Sequence, residues 1–239
     1  MNQIETQMNT LRLHGMQKSW TGLQETRKLH ELSLSEGMEL LLHAEQEERD
    51  NRRFKRLDKQ AGFRYKASIE ELHLQDGRGI DKAQLASLAS CEFIAKGESI
   101  LITGATGCGK SFIASALGHQ ACMMGYKVAY FNMQKLMLKI KMARIEGTVH
   151  KLFEKLAKTE LIILDDFGLS HLEGQQQMDF MEIIEDRHAK ASTIISSQLP
   201  VGSWYDIIGE ETIADAILDR LAHTSHRIEI KGDSLRKKM

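Results

Sequence analysis

Residues 104–111 read Gly-Ala-Thr-Gly-Cys-Gly-Lys-Ser, a glycine followed after four residues by Gly-Lys-Ser, and no other stretch of the chain restricts its fold so strongly. Such a loop works only when a buried strand delivers it and a helix takes it up, because its successive N–H groups must turn inward at a helix start. Both flanks comply. Ser99-Ile100-Leu101-Ile102-Thr103 has the apolar, β-branched content of a buried strand, and helical spacing begins near Lys110. In that setting Gly104, Ala105, Thr106, Gly107, Cys108 and Gly109 wrap a phosphate chain, Lys110 meets its β- and γ-phosphates, and the Ser111 hydroxyl takes a place on Mg²⁺. Phe112, next in the chain, is counted with these binding residues. Cys108 reads as a small residue filling a loop position rather than as a redox sensor.

The rest of the C-terminal part alternates in the same manner. Val128 to Phe131, Leu161 to Leu164, Thr193 to Ser196 and Arg227 to Ile230 are short, continuous and β-rich, while helical stretches begin near Gln134, Gln175 and Glu211. Strands separated by segments of helical length predict right-handed βαβ crossovers, a parallel sheet and an α/β fold whose ligand lies at the carboxyl ends of the strands. Leu161-Ile162-Ile163-Leu164 runs into Asp165-Asp166-Phe167-Gly168, so two carboxylates stand at such an end, in a Walker B arrangement. Asp165 is expected to hold the Mg²⁺ shell and Asp166 to orient or deprotonate an attacking water, with Glu160 and Glu173 the next carboxylates to consider.

Composition changes near residue 66. Before it, Ile4, Met8 and Leu11, then Met16, Trp20 and Leu23, then Met38, Leu41 and Leu42 recur at helical spacing. Two domains are predicted, a helical one over 1–66 and an α/β one over 67–239. Ser33 with Glu36 is a capping-box start for a long helix, and Ser68 with Glu71 repeats the pattern. The long helix ends in a run from Arg49 to Lys66 with eight Lys or Arg against two Asp, a net of +6. Arg52, Arg53, Lys55 and Arg56 lie in it, and the run serves equally as a solvated helix face or as a nucleic-acid arm. A second basic segment, Gln134 to Lys158, carries a net of +5. Over the whole chain the charges nearly cancel, at −1, so no global field advertises a nucleic acid or a membrane. The longest aliphatic run, Leu161 to Leu164, is far too short to span a bilayer. Three cysteines without metal-ligand spacing and no apolar leader point to a reducing cytoplasm.

Beyond the phosphate loop, several segments resemble the AAA+ superfamily, its initiator and helicase-loader branch, and within it the IstB family of insertion-sequence transposition helper ATPases. They are Leu161 to Gly168, Thr193 to Pro200, Ile213 to Leu221 and Gly232 to Lys238. The resemblance runs from about residue 10 to the end. It implies an AAA+ P-loop core with a truncated lid, ATP and Mg²⁺ as ligands, hydrolysis to ADP and phosphate, and ATP-dependent self-assembly into a ring or filament. Ser197 and Gln198 fall at the sensor I position beside the γ-phosphate, with a Gln where many AAA+ proteins have Asn. Arg220 falls at the arginine finger, which reaches a neighbouring subunit's nucleotide, and Arg236 at sensor II.

In the initiator branch the position of the second basic segment carries an extra helix lining a central DNA channel. Lys135, Lys139, Lys141 and Arg144 are expected to follow one helical face toward phosphates. With no aromatic residue between Gln134 and Lys151, the binding expected is to double-stranded DNA, largely independent of sequence. The implied function is an ATP-dependent DNA-binding oligomer that assists a cognate transposase. A DnaC-like helicase loader is the nearest alternative. A cytosolic P-loop kinase is disfavoured, because it would leave Arg220 and the basic segment idle.

Overall fold

In a computed structural model the described residues are 3–72, 79, 81–222 and 225–232. They divide into two compact units at Arg56/Leu57, ten residues before the change in composition at residue 66.

The first unit is wholly helical: α1 (Gln3–Thr10), α2 (His14–Glu25), a 3₁₀ turn (Lys28–His30) and α3 (Leu34–Ala61), whose last residues belong to the second unit. The Ser33 N–H and hydroxyl donate to Glu36 Oε2 at 2.8 and 2.7 Å, and the Glu36 N–H donates to Ser33 Oγ at 3.3 Å, so the first capping box forms. Helices α2 and α3 touch at Gly15, where a Cβ would lie 2.2 Å from the Ala44 carbonyl oxygen. That approach lets the buried Glu45 carboxylate accept the N–H groups of Gly15 (2.7 Å) and Met16 (3.3 Å) at the start of α2. Burial opposes its charge, yet the hydrogen bonds from Arg49, Gly15 and Met16 keep its carboxyl below the ordinary range. Met8, Met16 and Leu41 form the small core, flanked by Leu13, Trp20 and Leu23. Ile4, Leu11, Met38 and Leu42 follow the same spacing and are exposed.

The second unit is a five-stranded parallel sheet in the order β2-β3-β4-β1-β5. Its strands are β1 (Ser99–Gly104), β2 (Val128–Asn132), β3 (Leu161–Phe167), β4 (Ser192–Ser197) and β5 (Ser225–Ile230). The three central strands are almost fully buried, and the edge strands β2 and β5 are partly exposed. Around them run α4 (Lys82–Ala89), α5 (Glu92–Ala95), α6 (Lys110–Met123), α7 (Met133–Ile145), α8 (Val149–Ala157), α9 (Gln175–Arg187), α10 (Trp204–Ile208) and α11 (Glu211–Ala222). The predicted strands and crossover helices are all present, and none of the described helices is long and apolar enough to cross a membrane.

Two local expectations are corrected. Glu71 does accept the Ser68 N–H at 3.0 Å, but residues 69–71 form only a turn, and the next helix starts at Lys82 with Asp81 as its cap. The basic stretch 134–158 is two helices, broken where Gly147 adopts a φ of +69°. Arg187, fully buried at the end of α9, joins these layers: it donates to the carbonyls of Leu156, Thr159 and Ser192 and to the Thr193 hydroxyl. Burial lowers its guanidinium to about 9.

Candidate nucleotide site

The carboxyl edge of the sheet gathers Gly104 from β1, Asn132 from β2, Asp165 and Asp166 from β3 and Ser196 from β4. Gly104, at φ +147°, packs so closely on β5 that a Cβ would stand 2.4 Å from the Ile230 carbonyl oxygen. Gly109, at φ +107°, turns the chain into α6. Between them Lys110, a residue 8% exposed, folds its ammonium back over the loop to donate to the carbonyls of Gly104 and Ala105, both at 2.8 Å. Among the described residues no carboxylate pairs with it. A desolvated cation beside the N–H groups that open α6 is a built site for anionic oxygens.

The two carboxylates owe their position to a bulge. β3 pairs regularly with β4 up to Leu164↔Ile195 and resumes at Phe167↔Ser197, so Asp165 and Asp166 together oppose Ser196, with Asp166 at φ +60°. Asp165, with no exposed surface, accepts the Ser111 hydroxyl at 2.9 Å and the Ser196 hydroxyl on Oδ1, and the Tyr130 hydroxyl and Arg64 (3.5 Å) on Oδ2. Burial first, and then the bond to Asp165 and its charge, push the Tyr130 phenol up, so it stays a donor. Asp166 Oδ2 accepts Asn132 Nδ2 and Arg64, each at 3.0 Å.

The other expected residues divide. Thr106 donates to Gln198 Oε1 at 2.7 Å, tying the loop to the end of β4. Ser197 is turned away: its hydroxyl donates to the Phe167 carbonyl (2.8 Å) and accepts the Leu199 N–H (3.1 Å), leaving Gln198 as the β4 group that meets the loop. Phe112 stacks obliquely near Tyr65, with ring centroids 6.4 Å apart. Arg220 is not at this site. It forms an ion pair with Glu185 and lies beside Gly97, Ser99 and Thr193, at the amino ends of β1 and β4. A strand length, roughly 15–20 Å, separates that edge from the loop. Arg236 lies outside the described residues.

The basic surface also differs from expectation. Lys135, Lys139 and Lys141 are exposed on α7, but at 100° per residue Lys135 and Lys139 fall on one flank and Lys141 on the other. Exposed Leu138, Met142 and Ile145 run between them. Arg144 leaves this surface to form an ion pair with the buried Asp179 of α9. On α3, Arg52, Arg53, Lys55 and Arg56 are exposed, with Arg52 near Glu45 and Glu48 at 3.8 and 4.0 Å.

Tyr130, Asn132, Ser196 and Arg64 are the site residues that sequence reasoning missed. Only Asn132 carried a local signal, as a polar residue closing an apolar strand run.

Comparison with known proteins fits this geometry. A model of the family of IstB-like ATP binding proteins matches residues 6–239. An insertion sequence ATP-binding protein of Sinorhizobium fredii is 40% identical over 230 residues, covering 96% of this chain and 94% of that protein. The IS1162 ATP-binding protein of Pseudomonas fluorescens is 40% identical over 196 residues, 82% of this chain and 85% of that one. Among solved structures, DnaI aligns with a TM-score of 0.59 at 18% identity, covering 70% of this chain and 92% of its own. The DnaC helicase loader aligns with a TM-score of 0.53 at 20% identity, over 64% and 92%. These structural likenesses are of fold alone.

Proposed function

Because this chain belongs to the family of IstB-like ATP-binding proteins, we propose that it is an ATPase that assembles on DNA in an ATP-dependent manner and assists the transposase of an insertion sequence. The observation that carries the reading is the meeting of Lys110, Ser111, Asp165 and Asp166 on one sheet edge, in a chain whose relatives over more than nine-tenths of its length are named for insertion sequences. The likeness to a helicase loader is one of fold at 20% identity, so the loader reading is second.

The residues fit a magnesium nucleotide. Ser111 Oγ and Asp165 Oδ1 are hard oxygen donors 2.9 Å apart, and among the described residues no cluster of three or more His, Cys, Asp or Glu offers a cage that would hold a cation alone. One carboxylate and one hydroxyl, completed by phosphate oxygens and water, suit Mg²⁺. Bound there, the metal neutralises charge on the phosphates. Lys110 pairs with the β- and γ-phosphates. Asp166 orients the attacking water and takes its proton as oxygen bonds to the γ-phosphorus and the bond to the β-phosphate oxygen breaks. Asn132 and Arg64 both hold Oδ2 of Asp166, so the other oxygen takes that proton. Gln198 senses the loop through Thr106, and Arg220, a strand length away, serves the nucleotide of an adjacent subunit.

Asp166→Asn is expected to retain ATP and Mg²⁺ binding while slowing hydrolysis at least about tenfold, since an amide cannot take the proton. Phosphate release measures the rate, and the variant should remain on DNA with ATP. Unchanged turnover would move the catalytic carboxylate to Glu173; Glu160 is corrected as a candidate, because it precedes β3 at the opposite edge of the sheet, where it accepts the Lys127 N–H at 2.8 Å.

DNA contact is assigned to Lys135, Lys139 and Lys141 of α7, seconded by Arg52, Arg53, Lys55 and Arg56. Reversing Lys139 and Lys141 to Glu is expected to weaken binding equally on unrelated duplexes and to flatten the plot of log affinity against log salt by roughly 0.9 for each phosphate no longer neutralised. Hydrolysis without DNA should hardly change. An unaltered affinity and slope would transfer the contact to α3.

A further inference from the structure

We infer that Arg64 is a positioning residue of the nucleotide site: its guanidinium is the resident counter-cation of the Asp165–Asp166 pair and gives up Asp165 when a divalent cation is held there. The inference rests on reading the site as one for a magnesium nucleotide.

The acceptor capacity of Asp165 sets the constraint. An ionised carboxylate offers about four lone-pair positions, and Ser111, Ser196, Tyr130 and Arg64 supply four donors. A cation, or a water bound to it, must displace one of them. Ser196 is wholly buried on the neighbouring strand, Tyr130 reaches in from β2, and Ser111 is itself a group that would face the metal. Arg64 is the donor able to leave: its side chain is 44% exposed and its contact with Asp165, at 3.5 Å, is the longer of its two. Charge points the same way, because a guanidinium on Oδ2 and a dication on Oδ1 of one carboxylate repel each other at close range.

The arginine is held where this exchange is short. On its N-terminal side, Phe63 packs on His119 of α6, with ring centroids 4.2 Å apart, and lies so close that a Cβ at Gly118 would stand 2.4 Å from its ring. On its C-terminal side, the Tyr65 carbonyl meets His119 Nε2 at 3.1 Å. With both neighbours fixed to α6, movement is left to the side chain. After leaving Asp165 the guanidinium keeps Asp166, at 3.0 Å, and the face of Tyr65, 5.4 Å away. Metal loading thereby shifts the cation toward the carboxylate that handles the water.

The test is a ratio of affinities in the full-length protein. Binding of a fluorescent, non-hydrolysable ATP analogue is measured by anisotropy, with Mg²⁺ and with EDTA, for wild type, Arg64→Ala and Arg64→Lys. Removing a competitor of the metal is expected to raise the ratio of the two affinities about tenfold in Arg64→Ala, while Arg64→Lys, which keeps a cation, stays near wild type. A residue that merely props the loop, or binds phosphate directly, would lower both affinities together and leave the ratio alone. An unchanged or reduced ratio in Arg64→Ala, with wild type binding normally, therefore overturns the inference and leaves the ATP site standing. If wild type binds the analogue under neither condition, the ATP reading falls and this inference with it.

Discussion

Lys110→Ala protein is expected to fail to assemble when ATP is added and to hydrolyse ATP at a rate lower by about a thousandfold or more. Lys110 is a buried residue whose ammonium is directed by two carbonyls at 2.8 Å and has no carboxylate partner among the described residues, so its charge is available to phosphate oxygens. Without it, those oxygens enter a desolvated loop unpaired, which is the costly case for a buried charge. Stability should change much less, because Gly104 and Ala105 lose one donor each, at about 1 kcal/mol per carbonyl. Light scattering with and without ATP, beside a thermal melt, separates the two effects. Normal assembly would mean that this loop is not the switch.

Arg220→Ala should have an effect of comparable size by another route. Hydrolysis is expected to fall about a thousandfold, with nucleotide binding by the subunit itself unaffected, since Arg220 lies at the opposite edge of the sheet from Lys110. Mixing the variant with Lys110→Ala protein, which brings an intact arginine, should restore part of the activity at mixed interfaces. Its ion pair with Glu185 supplies the control. If Arg220 only secures α9 to α11, then Glu185→Ala will reproduce the loss, and no mixture will rescue it.

What is legible in the sequence is whatever is local in the chain. The phosphate loop, the strand that delivers it and the carboxylates at the end of Leu161 to Leu164 are contiguous patterns, and each reappears in the fold. Arg64 is invisible there for the opposite reason. It is 101 residues from Asp165, and in sequence it is one of eight basic residues in a run that solvent alone would explain. Ser196 and Tyr130 meet Asp165 only because strand order places β4 and β2 on either side of β3. A single basic face on α7 fails on helical arithmetic, since Lys135 and Lys141, six residues apart, stand about 120° from each other around the helix. Gly147, too, is a sequence signal for the break between α7 and α8.

The bulge in β3 limits which substitutions at residue 166 can be interpreted. In an unbroken strand, adjacent side chains point to opposite faces, so neighbouring carboxylates would be divided between the two sides of the sheet. Here both reach one donor, Arg64, at the expense of a left-handed backbone at Asp166. Aspartate and asparagine tolerate that conformation, whereas a β-branched side chain is strained in it. An inactive Asp166→Val would thus report a displaced Asp165 as readily as a missing base, and the substitutions that leave the backbone unstrained are those to short polar residues and glycine.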